Sequence, residues 1–197
     1  MLKQASPDPV ALDSFSHELI VTGEDIIRRR RELLPKFLPL VQAAYTAVAR
    51  GAETLSLDYL PSIKTDFKVE LAQARQRERA YRSTVVGPHR DELQLLLNDR
   101  PAALYGSEGQ KRTLAIALKM AQAEYVTALH GAPPVLLIDD IMGELDLQRR
   151  SGLLPLLERA HQSRGQVFMT ATETNWPQEL GREVQQWVVK QGTLHGD

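Results

Sequence analysis

Apolar positions in the first fifty residues recur at three- and four-residue steps: Phe15, Leu19, Ile26, Ile27, Leu33, Leu34, Phe37, Val41, Tyr45 and Val48. That spacing predicts a helix from Leu12 to about Arg50, with Gly51 as its stop. Pro35 and Pro39 fall inside the run. Each removes a backbone donor and crowds the preceding turn, so they are expected to kink or divide the helix. TLSLDYL (54–60) alternates like a strand, and Lys64 to Arg82 reads as a charged, exposed helix.

At Ser83 the pattern changes. STVVGPH (83–89) and ELQLLLN (92–98) are two β-rich runs flanking Arg90 and Asp91, with an NDRP turn after them. A helix from Ser107 to about His130 contains LAIALKMAQA, apolar almost all round, which predicts a buried helix. VLLID then reads as a strand, Leu147 to about Ala160 as a helix, QVFMTAT (166–172) as a strand and QQWVVKQGTL (185–194) as a last strand. Strands alternating with helices predict an α/β class with a largely parallel sheet. The expected division is a mainly helical segment over 1–82 and a layered domain over 83–197.

Composition changes this picture little. Lys plus Arg number 24 against 25 for Asp plus Glu. Residues 1–82 carry 13 basic and 11 acidic side chains, so a polyanion surface is expected there before the second half. Absence of cysteine excludes a disulfide framework and a thiolate zinc site. No apolar stretch is long enough to span a bilayer, and no signal sequence follows Met1. The expectation is a soluble, cytoplasmic protein with no membrane partner.

Three motifs bear chemistry. In VLLIDD (135–140), four aliphatic residues read as a strand buried on both faces, with its acids at the carboxyl end, where open α/β sheets place ligands. Asp139 would hold Mg²⁺ and Asp140 would orient or deprotonate an attacking water, or the pair simply ends a strand in a turn. GSEGQKR (106–112) opens the long helix. Ser107 as N-cap, the Gly109 backbone and the neighbouring Lys111 and Arg112 suit a phosphate, or form a capped helix with a solvated basic turn. In GELD (143–146), Asp146 either reaches a neighbouring molecule or caps the helix that follows.

Taken together and in this order, serine-x-glycine-glutamine at a helix start, an hhhhDD strand and x-x-L-D resemble the heads of ATP-binding-cassette proteins. The resemblance implies the C-terminal lobe of such a P-loop head. Ser107, Glu108, Gly109 and Gln110 would be the signature that contacts ATP held by the other subunit. Asp139 would be the Walker B acid linked to Mg²⁺, Asp140 the catalytic carboxylate, and Asp146 the D-loop aspartate at a dimer interface. VVGPHRDEL (85–93), together with GEDIIRRRRELLPKFLPLVQAAY and LSLDYLPS, narrows the resemblance to the RecF family of recombination and repair proteins, over essentially all 197 residues. It implies an ATP-dependent homodimer that binds single- and double-stranded DNA without sequence preference. Such a protein assists recombinase loading with RecO and RecR and takes part in the SOS response. The alternatives are a non-enzymatic dimerisation or docking module, and another SMC-like ATPase such as an overcoming-lysogenisation type.

Departures from the family pattern shape the expectation. Asp140 stands where many cassette ATPases have Glu, which implies slow hydrolysis. FMTATE (168–173) lacks the histidine that often follows the last core strand, so neither Ala171 nor Thr172 does imidazole work. No G-x-x-x-x-G-K-[ST] occurs, and the chain is expected to be a C-terminal portion that cannot hydrolyse ATP alone. For Gly87, Pro88, His89, Arg90 and Asp91 both a nucleotide contact and a structural hydrogen-bonded turn stand open. DNA phosphates would be met by Arg28, Arg29, Arg30 and Arg31, and by Arg75 and Arg79 near Arg77 and Arg82. The other reading of these arginines is solvated faces with intrahelical pairs.

Overall fold

The structure, a computed structural model, describes residues 9–49, 51, 53–162, 165–172 and 184–196. The expected end of the first helix at Arg50, and Glu173 of FMTATE, lie outside the described residues. The chain is α/β, with a parallel strand pair as expected, and it divides into two compact units. One comprises residues 1–42 and 53–107, the other 43–52 and 108–197. The break falls at 107/108 and not near residue 82. The strand that follows residue 82 pairs along its whole length with one that precedes it.

In the first unit, α1 (Pro9–Ala49, whose last residues belong to the second unit) is a single helix of 41 residues. Pro35 and Pro39 do not divide it. Both are exposed, as is Arg31 one turn earlier, so the carbonyls that lose their donors sit on the solvent side. Buried Ile27 faces Ile63, Phe67, Leu71, Ala74 and Val86, while Phe15 and Leu33 of the predicted apolar stripe are exposed. β1 (Leu55–Leu60) pairs antiparallel with β2 (Glu92–Leu97), from Leu55↔Leu97 to Leu60↔Glu92. β2 then turns through Asn98 and Asp99, both left-handed, into the short β3 (Arg100–Pro101), as a two-residue hairpin demands. α3 (Ala102–Tyr105) follows.

Between β1 and β2 lies α2 (Phe67–Tyr81), started by the Asp66 carboxylate, which accepts from the Val69 amide at 2.9 Å. Glu70 reaches back to the amides of Lys64 and Thr65 at 2.8 and 2.7 Å, satisfying two more donors ahead of the helix. Residues 83–89 form no strand. Two of their backbone donors are taken by side chains, Val85 N by Glu78 at 3.1 Å and Gly87 N by Ser62 Oγ at 3.1 Å, the Ser83 amide donates to the Glu78 carbonyl at 3.2 Å, and Pro88–Arg90 is a 3₁₀ turn.

In the second unit, α4 (Glu108–His130) is followed by β4 (Leu136–Asp139), a 3₁₀ turn (Ile141–Glu144), α5 (Leu147–Gln162) and β5 (Val167–Thr170). β4 and β5 are parallel, from Leu136↔Val167 to Asp139↔Thr170. Val48, Ile116, Met142, Leu145, Leu153, Leu154 and Leu157 form the core, against which Ile138, Val167 and Met169 pack. Each such leucine stabilises by about 1.5–3 kcal/mol on burial. α4 buries one face only; Ala115, Lys119 and Gln122 are exposed. Nor is β4 covered on both sides: Val135, Leu137 and Phe168 are exposed, Leu137 at 80%. The predicted last strand is a hairpin, β6 (Trp187–Lys190) and β7 (Thr193–Gly196), turning at Gln191 and Gly192, both with positive φ. Among the described residues no helix is long and apolar enough to cross a membrane.

α5 meets the end of α1 at Gly152, where a Cβ would stand 2.3 Å from the Ala47 carbonyl oxygen and 2.9 Å from Val48 Cα. Backbone cannot retreat as a side-chain tip can. Gly152→Ala is therefore expected to destabilise by about 2–3 kcal/mol, the cost of overpacking, instead of showing the usual gain of Ala in a helix. Urea unfolding of the two chains measures this.

Candidate functional site

β4 delivers Asp139 and Asp140 to its carboxyl end, and both are exposed, so neither carboxylate bears the cost of burial. Thr170 of β5 organises them. Its hydroxyl donates to Asp139 Oδ1 at 2.5 Å and accepts from the Asp140 amide at 3.0 Å; the same amide lies 3.2 Å from the Thr170 carbonyl. Asp140 adopts left-handed backbone (φ 44°), which Asp tolerates better than longer side chains because its carboxylate can bond locally. Sequence reading passed over Thr170. Its position at the carboxyl end of the second core strand was a usable signal, but pairing with Asp139 depends on register.

Glu108, Gly109 and Gln110 form the first turn of α4, with Ser107 before it. Lys111 is drawn to Glu108 at 3.1 Å. One turn later, Thr113 Oγ1 donates to the Gly109 carbonyl at 2.8 Å and accepts from Arg149 Nε at 3.0 Å. Asp146 caps α5, accepting from the Arg149 amide at 2.8 Å, and its second oxygen pairs with the Arg149 guanidinium. The Arg149 amide, with that guanidinium, holds the Asp146 carboxyl below its ordinary value. The structure thus gives Asp146 the capping role and joins it to Gly109 through two residues, Thr113 and Arg149, that the motif reading did not single out.

In the first unit, GPHRD is a hydrogen-bonded turn. Asp91, its side chain 2% exposed, accepts from Arg30 at 2.7 Å, the Ser62 amide at 2.8 Å and the Tyr59 hydroxyl. Arg30 also donates to the Pro88 carbonyl at 2.6 Å, and Ser62 to that of Gly87 at 2.7 Å. His89 and Arg90 are exposed, each within reach of the Thr84 carbonyl at 3.2 and 3.3 Å.

The arginine candidates separate accordingly. Arg28 and Arg29 pair with Asp25, Arg28 also with Glu32, and Arg75 with Asp13 and Ser16. Arg30 is committed to Asp91. Arg31, Arg77, Arg79 and Arg82 make no side-chain hydrogen bond or ion pair among the described residues. Glu78, the acid closest in sequence to Arg77, Arg79 and Arg82, is buried and turned to the Val85 amide.

No three acids or histidines among the described residues gather into a metal cage. Two exposed carboxylates at a strand end fit the donor set that Mg²⁺ takes when phosphate and water complete its shell.

Removing the Asp91 carboxylate strands Arg30, Tyr59 and the Ser62 amide, so Asp91→Ala should cost about 2–3 kcal/mol. That is less than for a fully enclosed pair because Arg30 is partly exposed. Burial pushes the Asp91 carboxyl up, but the bonds from Tyr59, Ser62 and Arg30 outweigh it and hold the carboxyl below its ordinary value. With the folded value below the unfolded value of about 3.9, this stabilisation is present above about pH 4 and fades as pH falls through the folded value. Unfolding of both chains across pH 2–7 should therefore converge at the acid end, over roughly that window. Thr170→Val keeps shape but loses the hydroxyl. About 1 kcal/mol of stability should go with it, together with faster hydrogen exchange at the Asp140 amide.

No protein-family model matches the chain. Among curated proteins, the DNA replication and repair protein RecF of Rippkaea orientalis is 37% identical over 171 residues, 82% of this chain and 44% of that protein. Its namesake from a Synechocystis species is 38% identical, with the same shares, and one from a Cyanothece species is 35% identical over 94% of this chain and 49% of its own. A solved structure of the recombination mediator RecF with ATP superposes over 100% of this chain and 52% of its own, with a TM-score of 0.76 at 25% identity. In sequence and in structure, the chain is related to RecF and matches its C-terminal portion, spanning about half the length of the curated relatives it matches.

Proposed function

We propose that the chain contributes one half of a composite ATP site in a RecF-type protein of DNA replication and repair. The observation that carries this reading is the Asp139–Asp140 pair, tethered by Thr170 yet open to solvent at the carboxyl end of a parallel strand. Mg²⁺ with the triphosphate supplies positive charge and the reactive phosphoryl group when bound. Asp139, its Oδ1 fixed by Thr170, keeps a second oxygen that would hold the metal through its hydration shell. Asp140 accepts a proton from the attacking water; its short, left-handed setting suits slow turnover, as in a switch. The Ser107–Gln110 turn closes over ATP held by a second subunit, through backbone amides at the α4 N-terminus. Homodimer closure would clamp single- or double-stranded DNA through phosphate contacts from Arg31, Arg77, Arg79 and Arg82, and the dimer would work with RecO and RecR.

A second reading, a non-enzymatic docking module, is favoured by the exposed apolar face of Val135, Leu137 and Phe168. Such a face is suited to burial against a complete head.

Mixing the chain with a full-length RecF relative, with and without ATP and Mg²⁺, separates the two by sedimentation. The composite-site reading expects ATP-dependent association that Ser107→Arg abolishes, and no ATP hydrolysis by the chain alone. Association that ignores both ATP and the substitution supports docking. Robust hydrolysis by the chain alone overturns the division of the site between two polypeptides.

A further inference from the structure

We infer that Arg149 is a positioning residue that locks the first turn of α4 to the Asp146 turn, so that the two present one rigid surface. Its functional consequence rests on the composite-site reading. Its physical basis does not.

Capping α5 requires only the Asp146 carboxylate and the Arg149 amide, 2.8 Å apart. The Arg149 side chain does more. Its guanidinium pairs with the second Asp146 oxygen and, through Nε, donates at 3.0 Å to Thr113, which lies 36 residues away on α4. Thr113 is completely buried and uses its hydroxyl in both directions, accepting from Arg149 and donating to the Gly109 carbonyl at 2.8 Å. The Arg149 guanidinium donates both ways, to the Asp146 carboxylate and to the Thr113 hydroxyl, and Thr113 in turn donates to the Gly109 carbonyl. Along the arm from Arg149 through Thr113 to Gly109, the first bond polarises the second.

Gly109 completes the device. A Cβ there would stand 3.3 Å from the guanidinium carbon and one of its nitrogens, and 3.4 Å from the other. Glycine lets the planar group lie against the turn. A lysine in place of Arg149 would keep a charge near Asp146 but has no fork to hold Thr113 at the same time. The Arg149 side chain is 26% exposed, so these bonds are only partly open to competition from water.

Hydrogen exchange on the 197-residue chain tests the coupling. Arg149→Ala is expected to speed exchange by about fivefold or more, the size of one lost hydrogen bond, at the Thr113 and Leu114 amides as well as at the start of α5. Arg149→Lys should restore the α5 amides and leave those of α4 fast. Gly109→Ala should loosen the α5 start in the natural background and protect α4 in the Arg149→Ala background, where nothing opposes the new methyl. Changes confined to α5 in Arg149→Ala, or full rescue of α4 by lysine, would show a simple cap and overturn the inference. Coupled exchange in a chain that shows no ATP-dependent association leaves the coupling standing and counts against the composite-site reading. Where association occurs, Arg149→Ala and Arg149→Lys should both weaken it.

Discussion

Parallel pairing of β4 with β5 is the constraint from which the second unit follows. Two parallel strands cannot be joined by a tight turn, so the chain must leave the end of β4, cross over and return to the start of β5. α5 is that crossover, and its Leu153, Leu154 and Leu157 cover one face of the pair. The same geometry brings both strands out at one edge in the same direction. Asp139 and Thr170 become neighbours there because they are register partners, and the Asp140 amide falls beside the same hydroxyl. The acidic strand end is therefore open to water and held by one threonine.

Antiparallel pairing shapes the first unit in a different way. β1 and β2 are adjacent in the sheet but separated in sequence by α2 and the GPHRD turn. The turn must be anchored, since it lacks ladder partners for its backbone. Asp91 provides the anchor by gathering donors from α1, β1 and the loop after β1. This use of Arg30 ties its guanidinium to the turn. Pairing of Arg28, Arg29 and Arg75 with acids one turn or one helix away leaves Arg31, Arg77, Arg79 and Arg82 as the exposed candidate arginines that make no side-chain bond among the described residues.

Much of this was legible in the residues. Periodicity found α1, α2, α4 and α5, and the aliphatic runs found β4 and β5, because helices and strands repeat with different periods. The motif order at Ser107–Gln110, Asp139–Asp140 and Asp146 pointed to cassette ATPase heads, and VVGPHRDEL with the upstream segments narrowed that to the relationship to RecF that sequence and structure both carry. The α1 prolines were misread because their cost depends on whether the orphaned carbonyls face water. STVVGPH has strand-forming residues, yet its donors went to Glu78 and Ser62, which lie outside any local window. QQWVVKQGTL hid a hairpin because Gln191, not a usual turn residue, takes the left-handed position ahead of Gly192.

By itself, then, the sequence determined most of the helices and strands, the α/β class and the order of the chemical motifs, since each rests on local spacing. Only the tertiary structure decided what the charged groups do. It made Asp91 a buried anchor, Thr170 the partner of Asp139, and Arg149 the bridge from Gly109 to Asp146. The physical reason is the same in each case: a hydrogen bond needs its donor and acceptor within about 3 Å, and only the folded chain brings residues tens of positions apart to that distance.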